Sequence, residues 1–178
     1  GNHDDRAAFR KALTPSPGAP PPVEGRHVTV VEHAAVRLIL LDSLLFTNKT
    51  PGLLGQNQRQ WLQRRLPELA DRPAVLFLHH TLGERDGDLL DTERLLAIVR
   101  PLRHVKAIFC GHAHVWRRER IGRLQVVTLP ALGYNFGDRE PVGWVEGVFR
   151  PGGVDLTLHA VGGDRSDDGK THALAWAG

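Results

Sequence analysis

Ten histidines stand against one tyrosine and one cysteine in the 178 residues. Three groups of them sit where metal or acid–base chemistry could occur. The chain opens Gly1-Asn2-His3-Asp4; His79 and His80 end the apolar run that starts at Val75; and Gly111-His112-Ala113-His114 follows the run that ends at Cys110. Imidazoles combined with carboxamide and carboxylate oxygens, without a thiolate, suit manganese, iron, cobalt or zinc rather than a cysteine-rich structural zinc site. Cys110 lies inside its apolar run and reads as a small core residue. A single histidine after a strand is ordinarily a hydrogen-bonded surface residue. Two clusters at equivalent strand ends, plus Gly-Asn-His-Asp at the start, do not fit that explanation. His27, His33, His104, His159 and His172 carry no such pattern.

Strand ends matter because ligands of open α/β sheets lie outside the carboxyl ends of the strands. Adjacent strands are about 4.8 Å apart, so neighbouring ends can converge on one ion. Residues two apart in extended backbone point the same way, so His112 and His114 can face one site or two adjacent ones. Gly111 is expected to supply the sharp turn, or a close approach, that lets both rings point into a cleft.

The elements behind these ends alternate. Strand patterns at 36–41, 74–78 and 105–110 enclose a helical pattern at 56–66 and another that Asp91 or Thr92 would cap, with Leu95, Leu96, Val99 and Leu102 inward. That alternation predicts βαβ units and a mostly parallel sheet. Ahead of it come a short helix at 6–13, a proline-rich connector at 14–22 and a strand at 27–31. Behind it come antiparallel hairpins with one wet face, around Gly122 and around Pro151-Gly-Gly153. Residues 1–161 read as a domain, and the Gly-, Asp- and Ser-rich stretch 162–178 as a flexible tail.

Composition excludes several classes. With 41% hydrophobic and 24% charged residues the chain can build a globular core. No apolar run approaches the roughly 18–20 residues of a spanning helix, so no membrane role is expected. A net charge of +3 gives little pull on polyanions. Glu119 interrupts Trp116-Arg-Arg-Glu-Arg120, which reads as a solvated strand face rather than a nucleic-acid surface. One cysteine excludes an internal disulfide and favours a cytoplasmic location.

In order and spacing, the three histidine-bearing motifs resemble the last three motifs of the calcineurin-like metallophosphoesterases. Gly1-Asn-His-Asp-Asp-Arg6, Leu41-Asp-Ser43, and Leu54-Gly-Gln with Gln60-Trp-Leu62 are similar to the class III cyclic-nucleotide phosphodiesterases within that superfamily. The similarity covers roughly residues 1–130. It implies an α/β fold, the C-terminal part of a four-layer αββα sandwich with mixed sheets. It also implies two metal ions (manganese, iron or zinc) bridged by an aspartate and a hydroxide that attacks a small phosphodiester such as a cyclic nucleotide. By that resemblance Asn2, His79 and His112 ligate the second metal and His114 helps ligate the first. His3 contacts the phosphate and protonates the leaving oxygen, with Asp4 orienting it. His80 is expected to point the other way and act from behind the ligands. Arg6 and Arg85 are candidates for phosphate contact.

The family's earlier Asp-x-His and Gly-Asp-x-x-Asp motifs do not precede Gly1. Gly87-Asp88-Leu-Leu-Asp91 spells the second of them but falls too late in the chain and reads as coincidence. The sequence is therefore expected to be the later part of an enzyme, inactive or partner-dependent alone, needing an N-terminal half and holding at most one metal. A non-catalytic half-domain with a binding role is the alternative. Leu129-Pro-Ala-Leu-Gly-Tyr134 and residues 138–144 match no motif of the family.

Overall fold

The computed structural model describes residues 1–13, 22–137 and 139–178. The proline-rich connector, apart from its last residue, lies outside them. In chain order the first elements are α1 (Arg6–Leu13), β1 (Thr29–Glu32), β2 (Arg37–Leu40), α2 (Gly55–Glu68), β3 (Ala74–Phe77), α3 (Thr92–Val99), β4 (Val105–Cys110), β5 (Arg117–Ile121) and β6 (Leu124–Thr128). As the alternation predicts, β2, β3 and β4 run parallel, and β1 lies antiparallel on β2. β5 and β6 form the expected hairpin, but not a separate wet-faced ribbon. β6 is buried throughout and pairs parallel to β4, giving a six-stranded mixed sheet in the order β1-β2-β3-β4-β6-β5. Layers packed against both faces of the sheet explain why its central strands are apolar on both faces.

A bulge sets which way β4 faces. Ala74 pairs with Val105 but Val75 pairs with Ala107, so Lys106 is the extra residue, and its ammonium donates to the Ala177 carbonyl at 2.7 Å. Past the bulge, Ile108 joins Ile39 and Leu76 beneath Leu62, Leu66, Leu95 and Leu96 of the helices. Ala107 and Phe109 join Val75 and Val127 on the other side, against Val154 and Leu156. Each fully buried leucine here contributes about 1.5–3 kcal/mol of transfer free energy.

Val154 and Leu156 belong to a second, antiparallel sheet of β7 (Pro141–Arg150), β8 (Gly153–Gly163) and β9 (Thr171–Ala175). The described residues thus form three layers: helices, mixed sheet, and three-stranded sheet. The segment after Gly162, expected as a flexible tail, instead supplies β9. Its Gly- and Asp-rich part is the turn of a hairpin, and Leu174 then packs inward with Trp176 while Thr171, Ala173 and Ala175 face solvent. No helix is long and apolar enough to cross a membrane among the described residues.

Asp91 also departs from expectation. It precedes α3 but makes no side-chain cap there. Its carboxylate accepts the Leu54 and Gly55 N–H groups, each at 3.0 Å, at the start of α2, and pairs with Arg59. One buried acid therefore joins the two helices that cover the sheet.

Candidate metal centre

The carboxyl ends of β2, β3 and β4 bring the chemistry-bearing residues together. β3 ends at Phe77, and the chain continues through Leu78 into His79 and His80; β4 ends at Cys110, just before Gly111 and His112. His79 Nε2 lies 3.1 Å from His112 Nδ1 and 3.2 Å from Asn2 Oδ1. His79 Nε2 can give a hydrogen to only one of these two atoms, and without that hydrogen three lone-pair atoms face one another, an arrangement a cation would relieve. Burial, followed by the Gly1 ammonium, His80 and His112, lowers the His79 pKa to about 3. Burial also lowers His112. Both rings are therefore neutral at pH 7, the form that binds metals. The Gly87 backbone lies against His112 Nε2 and favours a hydrogen there, which leaves Nδ1 to face His79.

The turn after β4 is made differently from expectation. Gly111 has no positive φ; His112 and His114 do, at 67° and 56°. Two non-glycine residues in the left-handed region, on either side of Ala113, store strain at the site.

His80 is fully buried and not turned away from the cluster: one nitrogen from each of His79, His80 and His112 lies within 4.8 Å of the others. Ser43, just past β2, fixes this pair. Its Oγ accepts the N–H groups of His79 at 3.2 Å and His80 at 3.3 Å and lies 2.8 Å from His80 Nδ1. With both lone pairs engaged, the Ser43 proton goes to Nδ1, and the His80 hydrogen sits on Nε2. Gly52 lies against the same ring, and a Cβ there would stand 2.3 Å from His80 Cγ. Burial, followed by His112, lowers the His80 pKa to about 4.

Asp42 does for the opening turn what Ser43 does for the histidine pair. It receives Arg6 Nε at 2.7 Å and Nη2 at 3.0 Å, and the His27 N–H at 3.1 Å. Burial alone would raise its carboxyl pKa, but these bonds hold it below the usual carboxylate range. Arg6 is thus committed to anchoring α1 and the turn before it. Arg85 lines a separate cavity beside α3 with Leu82, Glu93 and Arg100.

His3 is exposed, and its Nδ1 lies 2.9 Å from Asn48 Oδ1. The Asp4 carboxylate lies at the Gly1 nitrogen rather than at His3. Asn48 takes over because its N–H bonds the Asn2 carbonyl at 2.7 Å and its φ of 62° turns the side chain back to His3. His114 lies outside the cluster. Its ring stacks on Phe136 at 4.3 Å and meets Tyr134 edge-on at 4.8 Å, and its buried Nδ1 has no hydrogen-bond partner among the described residues. It shares with His79 and His112 one cavity of about 460 Å³. The Gly-Asp-x-x-Asp look-alike is structural: Asp88 binds Thr81 and the Arg85 N–H, and Asp91 joins the helices.

Sequence reasoning missed Asn48, Gly52 and the aromatic pair at 134 and 136. It quoted Ser43 without a role; the polar pair Asp42-Ser43 ending an apolar strand was the available signal.

Comparison with known proteins agrees with this geometry. The fold matches a dimetal phosphatase from Danio rerio with a TM-score of 0.74, over 99% of this chain and 71% of that one, at 14% identity. The chain is 34% identical over 140 residues to the glycerophosphodiester phosphodiesterase GpdQ of Enterobacter lignolyticus, covering 74% of this chain and 49% of that protein. It is 33% identical over 174 residues to a cAMP/cGMP dual specificity phosphodiesterase of Mycobacterium tuberculosis, covering 95% and 47%. No family model matches. The fold is that of the calcineurin-like dimetal phosphatases. The chain's homologues are GpdQ/CpdA-type class III cyclic-nucleotide phosphodiesterases. The chain spans about half the length of the curated relatives it matches.

Proposed function

We propose that the protein is a metal-dependent phosphoesterase cleaving small phosphodiesters, cyclic nucleotides foremost and glycerophosphodiesters next, and that this chain supplies one half of its dinuclear centre. The observation that carries the reading is the approach of His79 Nε2 to within 3.2 Å of Asn2 Oδ1 and 3.1 Å of His112 Nδ1. A manganese, iron or zinc pair, when bound, supplies Lewis acidity toward phosphoryl oxygens and lowers the pKa of water toward neutrality.

The chain's residues divide the remaining work. Asn2, His79 and His112 hold one ion, and His114 faces the other. Ser43 and Asp42 fix the backbone that carries these donors. His3, its Nδ1 hydrogen directed to Asn48, can carry a proton on Nε2 to the leaving oxygen. No contact supports an orienting role for Asp4, which stays a candidate through its place in the motif. Donors for the other ion and the bridging carboxylate come from an N-terminal half bearing Asp-x-His and Gly-Asp-x-x-Asp. A cytoplasmic location belongs to this reading, supported by a single buried cysteine with no disulfide.

The experiment is a chromogenic phosphodiester assay in manganese. This chain alone should turn over no faster than its His112→Ala variant, and adding the N-terminal half in trans should restore hydrolysis. Steady hydrolysis by the chain alone contradicts the half-centre. No activity after addition of a folded N-terminal half, together with bound metal, favours the alternative of a non-catalytic half-domain.

A further inference from the structure

We propose that Asn48 is a positioning residue for the donor set: by fixing the tautomer of His3 it decides which end of the Asn2 carboxamide faces His79; this rests on the metal-centre reading above. The Asn2 side chain ends in one acceptor atom and one donor atom of nearly the same size. Turned one way it offers Oδ1 to a cation. Turned the other way it offers an N–H group, which a cation cannot use. Oδ1 lies 3.2 Å from His79 Nε2, so the group has the first orientation. The contacts on its far side explain what holds it there.

Asn2 Nδ2, which can only donate, lies 3.5 Å from His3 Nε2. Asn48 Oδ1, which can only accept, lies 2.9 Å from His3 Nδ1. A neutral imidazole carries one ring hydrogen, and both contacts require the same ring, with the hydrogen on Nδ1 and the lone pair on Nε2. Reversing the Asn48 amide would move the hydrogen to Nε2, aim it at Asn2 and favour the reversed carboxamide. The three side chains are therefore coupled, with Asn48 at the outer end and the donor point at the inner end.

Asn48 is itself held by its loop. Leu44 and Gly52 bridge the ends of that loop, and its middle lies on the opening turn. The Asn48 N–H donates to the Asn2 carbonyl at 2.7 Å, and Thr47 Oγ1 donates to the Asp4 carbonyl at 2.9 Å. The φ of 62° at Asn48 is one that asparagine tolerates and glycine adopts freely. Asn48→Gly therefore removes the side chain and leaves the backbone bond. Asn48→Asp keeps an acceptor that has no donor end to reverse.

The test reads the ring and the ion separately. Long-range nitrogen-15 spectra in chelator, at about pH 8.5 where imidazole is neutral, should show His3 with its hydrogen on Nδ1 in the unaltered chain and in Asn48→Asp. Asn48→Gly should show the hydrogen on Nε2, which free histidine prefers. Equilibrium dialysis should find manganese bound roughly tenfold more weakly by Asn48→Gly, and within about threefold of the unaltered chain by Asn48→Asp. A merely structural clamp would weaken manganese binding in Asn48→Gly with no change of tautomer, which overturns the proposal. An Nε2 hydrogen in the unaltered chain overturns it as well. So does Asn48→Gly binding manganese as tightly as the unaltered chain, a result that leaves the metal-centre reading standing. Manganese binding by none of the three removes both.

Discussion

His112 and His114 sit two residues apart in the same turn, both with positive φ, yet their surroundings differ completely. His112 meets His79 at hydrogen-bond distance, and His79 meets Asn2. His114 meets two aromatic rings and offers a buried nitrogen to nothing among the described residues. Equal backbone strain thus supports a converged donor set in one case and an isolated donor in the other. Donor type alone does not make a metal site; the neighbours that complete the coordination decide it.

The comparison is broken most directly at His79, which contacts both other donors. His79→Ala should weaken manganese binding by roughly a hundredfold, measured by equilibrium dialysis and elemental analysis. His80→Ala should keep most of the metal and lower the melting temperature instead, since His80 is buried behind the cluster and its loss leaves Ser43 Oγ without its acceptor. The reverse pattern would mean that His80 is the ligand.

A smaller effect is expected one step back. Ser43→Ala removes the acceptor of two backbone N–H groups and the donor to His80, and should cost about tenfold in metal affinity. An unchanged affinity would show that the strand ends hold the histidines without help.

A different effect is on stability. His79 and His80 have folded pKa values of about 3 and about 4, below the ordinary 6.5. Below pH 6.5 the unfolded chain binds protons that the folded chain refuses, so stability present at neutral pH is lost as pH falls from 6.5 toward 4. In a chelator the melting temperature should fall by about 5 °C or more between pH 7 and pH 5. Saturating manganese should move that fall to lower pH. A flat profile in chelator would mean that the rings are not held neutral.

The converged half of the site was the more legible in sequence, for a physical reason. A run such as Val75 to Leu78 must be buried, and a histidine that ends it abruptly must lie at the sheet's rim, where open α/β sheets bind ligands. Local pattern also gave the helices and the parallel core. The supports were not legible, because they depend on pairs far apart in sequence: Ser43 with His80, Asn48 with His3, Asp91 with the start of α2. β9 was hidden for a related reason. A Gly- and Asp-rich stretch has the composition of a loose tail, and only the inward places of Leu174 and Trp176 show that it is a turn. The aromatic cover of His114 lies in a loop with no periodicity to read.

The central claim is that this chain carries three donors of one metal site and only one of a second. Counting bound manganese per chain tests it, with His112→Ala and His114→Ala beside the unaltered protein. The account predicts at most one weakly bound ion, lost in His112→Ala and retained within threefold in affinity in His114→Ala. Two tightly held ions, or equal losses from the two substitutions, would contradict it.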